Sequence, residues 1–215
     1  MHIIKTSCMH RKKNILHVIS SPRGAESQSI RLGRAIIKRL LTAYPESEVV
    51  ENHLLQDQPS FLTVSHLSSF FNTANNRSEA ERQAIMYSDK ILQEVKSADI
   101  LVIGAPMYNF TIHAALKAWI DQLVRLGESF RYLPDGKRIG LFPDKQAFLA
   151  ISTGGRYPDS TSDPIKNYIE DYLFTILGFI GINDITSLRI EGTAEAGFQA
   201  NYDFITRNIV EKTEL

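Results

Sequence analysis

The stretch "ADILVIGAPMYNF", Ala98–Phe110, decides the fold. Ile100 to Ile103 are apolar without alternation, the pattern of a parallel strand buried on both faces. Pro106 biases Ala105 away from helix and ends the run. A chain leaving a strand should turn to solvent. Here it presents Met107, Tyr108 and Phe110 around Asn109 instead. Side chains of that kind at a strand's carboxyl end suggest a flat, partly apolar partner lying over them. Taken alone, they fit equally well as filling for the core beneath the loop.

Further strand-like runs lie on either side. "NILHVISS" (Asn14–Ser21), "SEVVENHLL" (Ser47–Leu55), "KQAFLAIS" (Lys145–Ser152) and "DITSLRIEG" (Asp184–Gly192) are short and rich in β-branched residues. Helical spacing separates them. The run after Ser27 repeats Ile30, Ile37, Leu40 and Leu41 and stops at Pro45. Ser78 and Glu81 form a capping box that opens a helix to Ala98. Thr111–Gly127 reads as a helix with a glycine stop. Another starts near Asp163 and Pro164 and closes at Gly178 or Gly181, and a last one spans Ala196–Leu215. Residues 56–77 have no clean period and read as a long loop with short helical pieces. Asp135-Gly136, between two strand-like runs, signals a β-hairpin inserted at Phe130–Leu141. Strands alternating with helices imply an α/β fold, a doubly wound parallel sheet covered on both faces. Five core strands point to the order 2-1-3-4-5.

Composition narrows the functions. Lys plus Arg and Asp plus Glu are both 24, so the zero net charge argues against nucleic acid as the main partner. No apolar run reaches the roughly 18 residues of a membrane span. Cys8 is the one cysteine, which suits a reducing compartment and a cytoplasmic protein. Residues 1–13 read as a disordered basic extension, and residues 14–215 as one domain.

In a doubly wound sheet, ligands lie beyond the carboxyl ends of the strands, where strand order reverses. Three loops end there: "SSPRGAESQS", "APMYNFT" and "STGGRYPD". The first offers the hydroxyls of Ser20, Ser21, Ser27 and Ser29 and the amide of Gln28 just before a helix, a favourable place for an anion. An ordinary helix cap is the competing reading. It is neither a Walker A nor a G-x-G-x-x-G loop. In the third, Gly154 and Gly155 let a ligand approach the backbone closely, or simply make a turn. Each loop is weak support alone; together they fall on one ligand-facing edge.

"SPRGAESQS", "PMYNFTIHAALKAWIDQLVRLGESFRY", "STGG" and "LGFIGI" resemble the FMN-dependent NADH-azoreductases, flavodoxin-like homodimers that also reduce quinones. The resemblance runs from about Ile15 to the last helix. It implies bound FMN, with NADH or NADPH reducing quinones or aromatic azo compounds by two-electron ping-pong transfer. It further implies that Ser21, Ser27, Gln28 and Ser29 hold the FMN phosphate and ribityl chain. Pro106, Met107, Tyr108, Asn109 and Phe110 would line the isoalloxazine, and Ser152, Thr153, Gly154 and Gly155 would border its other edge. Tyr132 and Phe179 would flank the substrate space over the flavin, in a homodimer whose active sites are shared between chains. Some relatives carry Arg where this chain has Thr153, which puts one polar contact in doubt. The apolar excess of "YLFTILGFIGI" (Tyr172–Ile182) independently suggests a buried partner face.

The reaction sits on the cofactor, so no side chain is assigned as general acid or base. His17, His53, His66 and His113 read as structural, and no metal-ligand spacing occurs. The alternative from another class is an electron-carrier flavodoxin without its own NADH oxidase activity. Such carriers are typically acidic, which this chain is not. An older label for this family, acyl carrier protein phosphodiesterase, would need a metal cluster or an activated nucleophile, and neither is visible.

Overall fold

The computed structural model describes residues 12–157 and 167–209. Five parallel strands form its sheet: β1 (Asn14–Ile19), β2 (Glu48–His53), β3 (Ile100–Pro106), β6 (Gln146–Ser152) and β7 (Asp184–Ile190). Their order is β2-β1-β3-β6-β7, the doubly wound order expected. A separate antiparallel pair, β4 (Phe130–Tyr132) and β5 (Arg138–Gly140), is the expected hairpin around Asp135-Gly136. Gly136 has φ 81, a value that favours glycine.

Alternation along the buried strands feeds two cores. Leu101, Ile103, Leu149 and Ile151 pack on one face against α3 (Glu79–Ser97), α4 (Ala114–Leu123) and α5 (Ile169–Phe179), with Trp119 fully buried among them. Ile100, Val102, Phe148 and Ala150 pack on the other face against α1 (Gln28–Ala43). This double burial is why the strands read as continuous apolar runs.

The capping box of α3 is reciprocal: Ser78 N–H donates to Glu81 at 2.7 Å and Glu81 N–H to Ser78 Oγ at 3.3 Å. Two expectations need correction. The helix expected at Thr111–Gly127 covers only Ala114–Leu123. Ser129 Oγ accepts the Arg125 N–H at 2.8 Å, and the Arg125 guanidinium is drawn into the core, 2.6 Å from Asp89. The last helix is regular only over α6 (Tyr202–Thr206). Gly197, at φ 76, breaks the pattern upstream, and residues 210–215 lie outside the described residues. The expected start near Asp163 and Pro164 also lies outside them; α5 is described from Ile169.

Within 56–77 a two-turn helix, α2 (Val64–Phe71), forms. Its Val64, Leu67 and Phe71 are exposed, which explains the missing period. Of the expected extension, residues 1–11 lie outside the described residues. Lys12 pairs with Glu48, and Lys13 N–H donates to Ser47 Oγ at 3.0 Å.

Candidate functional site

Register puts the three loops together. Ile19 lies opposite Gly104, Pro106 opposite Ser152, and Ser152 opposite Ile190, so β1, β3, β6 and β7 end at one edge. Two hydrogen bonds stitch the loops. Ser20 Oγ donates to Gly104 O at 2.7 Å, and Met107 N–H donates to Ser152 O at 2.8 Å.

In the first loop Ser27 is the N-cap of α1. Its Oγ accepts the Ile30 N–H at 3.4 Å and lies 3.0 Å from Ser29 Oγ. The cap reading is therefore correct for Ser27, and it leaves ligand binding open. The first amides of a helix have no intrahelical acceptor, so those of Gln28 and Ser29 remain for an anion. The two buried hydroxyls share one hydrogen bond, which leaves one O–H proton uncommitted among the described residues. Ser21 Oγ accepts the Arg23 N–H at 3.3 Å. Gln28 Oε1 accepts the Tyr202 hydroxyl, so its side chain is engaged with α6. Burial holds that phenol above the usual tyrosine range.

The second loop is strained. Tyr108 and Thr111 exchange backbone hydrogen bonds of 2.9 and 3.2 Å around Asn109 (φ 48) and Phe110 (φ 70). Asn tolerates this conformation, but a left-handed Phe110 costs about 1–2 kcal/mol. Phe110 is 45% exposed, so the turn is not made to bury it. Tyr108 is held edge-on to His113 at 5.2 Å, and His113 Nδ1 accepts the Ala115 N–H as the cap of α4. Partial burial holds His113 below the usual imidazole range.

The third loop has a different peculiarity. Neither Gly154 nor Gly155 has a left-handed φ, and an added Cβ would meet only Ala194 Cβ at 3.6 Å or the Tyr157 ring at 3.7 Å. Nothing in the described chain requires glycine at either position. Their N–H groups find no acceptor among the described residues. Thr153, by contrast, is buried and fully engaged.

Tyr132 and Phe179 are brought together, but not here. Phe130 stacks edge-on with Tyr132 at 5.9 Å and with Phe179 at 4.7 Å, and the Arg138 guanidinium lies 4.1 Å from the Phe179 ring. This cluster stands at the amino edge of the sheet, because α5 runs about 16 Å back from the ligand edge before β7 begins.

Shape and chemistry part company elsewhere on the surface. A groove of about 550 Å³ lined by Leu16, Val50, Lys90 and Glu94 lies at the amino edge, away from all three loops. The Ser60–His66 pair, 3.3 Å apart, was missed in the sequence and resembles a nucleophile with its base. Thr63 N–H donates to His66 Nδ1 at 3.1 Å, so Nε2 carries the proton. His66 then donates to Ser60 rather than deprotonating it. Among the described residues no three His, Cys, Asp or Glu side chains gather as a metal site, and no helix is long and apolar enough to cross a membrane.

Residues 13–207 match a family model described as a flavodoxin-like fold. The chain is 38% identical over 177 residues to the FMN-dependent NADH:quinone oxidoreductase 1 of Hahella chejuensis, covering 82% of this chain and 84% of that protein. It is 35% identical over 191 residues to the FMN-dependent NADH:quinone oxidoreductase of Aromatoleum aromaticum, covering 89% and 94%. Among solved structures, the azoreductase from Bacillus anthracis str. Sterne superposes with a TM-score of 0.77 at 28% identity, over 93% of this chain and 94% of that one.

Proposed function

The chain belongs to the flavodoxin-like family of FMN-dependent NADH:quinone oxidoreductases, and we propose that it uses NADH or NADPH to reduce quinones, aromatic azo compounds or both through bound FMN. One observation carries the reading: Gly154 and Gly155 are glycine without an internal reason, on the edge where unpaired amides and a strained aromatic turn converge. A ligand pressed against the backbone supplies the missing reason.

The amides of Gln28 and Ser29 and the hydroxyls of Ser27 and Ser29 take the phosphate, with Ser21 beside the ribityl chain. Such charge-assisted bonds are about twice as strong as neutral ones. Pro106 ends β3 so that Met107, Tyr108, Asn109 and Phe110 line one side of the ring, and Ser152, Gly154 and Gly155 border the other, with Thr153 buried between them. When bound, FMN takes two electrons from the nicotinamide nucleotide and gives them to the acceptor in a second half-reaction. Met107, Tyr108 and Phe110 exclude water from that exchange, which strengthens nearby polar interactions. The Gly154 and Gly155 N–H groups favour negative charge at the ring edge.

The working unit in this reading is a homodimer in which Phe179 and Tyr132 of one chain close the site of its partner, since neither reaches the loops of its own chain. Mixing a flavin-dead chain with a Phe179→Ala chain should regenerate activity, because one of the two sites is then built from intact parts. A fully active monomer contradicts this. We place the enzyme in the cytoplasm, in keeping with its single cysteine.

Heat release and mass determination should recover FMN, and the bound colour should bleach on adding NADH or NADPH. Recovery of FAD, or no flavin after reconstitution, removes the reading. Steady NADH oxidation with a quinone and no reductase partner separates it from an electron carrier.

A further inference from the structure

The loop after β7 has no role in the reading above, yet it is laced to the glycine loop at every step. Thr153 N–H donates to Ile190 O at 2.9 Å, and Thr153 O accepts both the Thr193 N–H at 3.1 Å and the Thr193 hydroxyl at 3.0 Å. Thr153 Oγ1 donates to Gly155 O at 2.7 Å, which also accepts the Gly192 N–H at 3.0 Å. Ala194 N–H donates to Gly154 O at 3.1 Å. Arg156 closes the far end with two 2.8 Å bonds to the Glu195 carboxylate.

Every polar group of Thr153 is therefore committed inside the chain, and the residue is 1% exposed. Its side chain has no donor left for a ligand. Gly154 and Gly155, between these anchors, keep their N–H groups free. The turn that supplies the anchors needs its own glycine: Gly192 has φ 71, and a Cβ there would stand 2.7 Å from Glu195 Oε1.

We propose that Thr153 and Thr193 are positioning residues, which fix the path of Gly154–Gly155 so that its amides meet the flavin edge without touching the flavin themselves. This rests on the reading that the glycine loop borders bound FMN. A residue turned inward shapes the loop, whereas one turned outward would contact the ligand directly.

The test is titration of apoprotein with FMN, with the visible circular dichroism of the bound flavin as second readout. Thr153→Val keeps the branched shape and removes the bond to Gly155 O, which retains the Gly192 N–H, so the fold should survive. Thr153→Val and Thr193→Val should each weaken FMN binding about tenfold, the equivalent of roughly 1.4 kcal/mol, and alter the flavin dichroism. Thr153→Ser, which restores the hydroxyl, should bind within about twofold of wild type. Wild-type affinity and dichroism in both valine variants, with only a lowered melting temperature, would overturn the inference. Gly154→Ala is the control for the underlying reading. If it binds FMN as wild type does, the loop does not border the flavin and both fall. If it binds weakly while the valine variants are unchanged, only the positioning role falls.

Discussion

Gly140 and Gly181 meet at the amino edge of the sheet; Gly154 and Gly155 follow one another at the carboxyl edge. A Cβ on Gly140 would lie 2.1 Å from Gly181 N and 2.2 Å from Ile180 C, so the hairpin can dock on the end of α5 only through bare backbone. Phe142 N–H seals that contact with a 3.0 Å bond to Ile180 O. At the other edge the same residue type meets ordinary van der Waals space. One pair is explained by the chain, the other by something outside it. The contrast extends to the neighbours. The amino edge stacks Phe130 and Phe179 on one another and Arg138, with left-handed backbone only at glycine among the described residues there and Tyr132 59% exposed. The carboxyl edge holds two left-handed residues other than glycine, Asn109 and Phe110. Strain of that kind persists where surrounding structure imposes it, typically at ligand sites.

The largest effect expected from this contrast is in acid. His17, on β1 beneath α1, is fully buried; Gly33 lies so close that a Cβ would come within 2.4 Å of its Nε2. Burial pushes the His17 imidazole down to about 4, against the hydrogen bond and charge of Glu51 and with Arg34 and His53 nearby. The unfolded chain then binds more protons than the folded one between about pH 6.5 and 4. This stability is complete above pH 6.5 and is lost as the pH falls toward 4, reaching about 3 kcal/mol. Because α1 carries the first loop, FMN affinity should weaken over the same window. Urea unfolding of wild type against His17→Gln across pH 4–7 should show the steeper slope in wild type; equal slopes would remove His17 as a cause.

Next is the first loop itself. Replacing Ser27 and Ser29 together with alanine should weaken FMN binding by about 1–3 kcal/mol through lost bonds to a charged group. Because Ser27 caps α1, the apoprotein should also lose about 1 kcal/mol. A change in stability with affinity intact would return both serines to a purely structural role.

The smallest effect has the most specific sign. Phe110→Gly relieves a left-handed residue and should stabilise the apoprotein by about 0.5–1 kcal/mol, after the entropic cost of glycine. The same change should weaken FMN binding by removing an aromatic wall. If thermal melts and FMN titration move in the same direction, the turn is not held for a ligand.

These contrasts also mark what could be read from sequence. The unalternating Ile100–Ile103 run, the Ser78–Glu81 box and Asp135-Gly136 are local signals, and each appeared as its element. The three ligand-edge loops were legible because strand order alone places them together. Gly140 against Gly181 was not, because that contact joins positions far apart in sequence. The left-handed Phe110 was not, since phenylalanine carries no signal for it. The family resemblance implied Thr153 as a ligand contact, whereas its bonds to Gly155 O and Thr193 appear only in three dimensions. Ala196–Leu215 read as one helix because its apolar residues suit a helix, and the conformation of Gly197 overrides that pattern.

The central claim is that the carboxyl-edge glycines answer to a ligand and the amino-edge glycines to the chain. The most direct test puts the same methyl group at each edge and measures apoprotein melting and FMN affinity on both variants. Gly140→Ala should melt far lower, by about 3 kcal/mol or more for a forced backbone clash, while its folded fraction binds FMN as wild type does. Gly154→Ala should melt as wild type does and bind FMN at least about tenfold more weakly, a loss of roughly 1.4 kcal/mol. If Gly154→Ala binds FMN with wild-type affinity, or loses stability along with affinity, the account is contradicted.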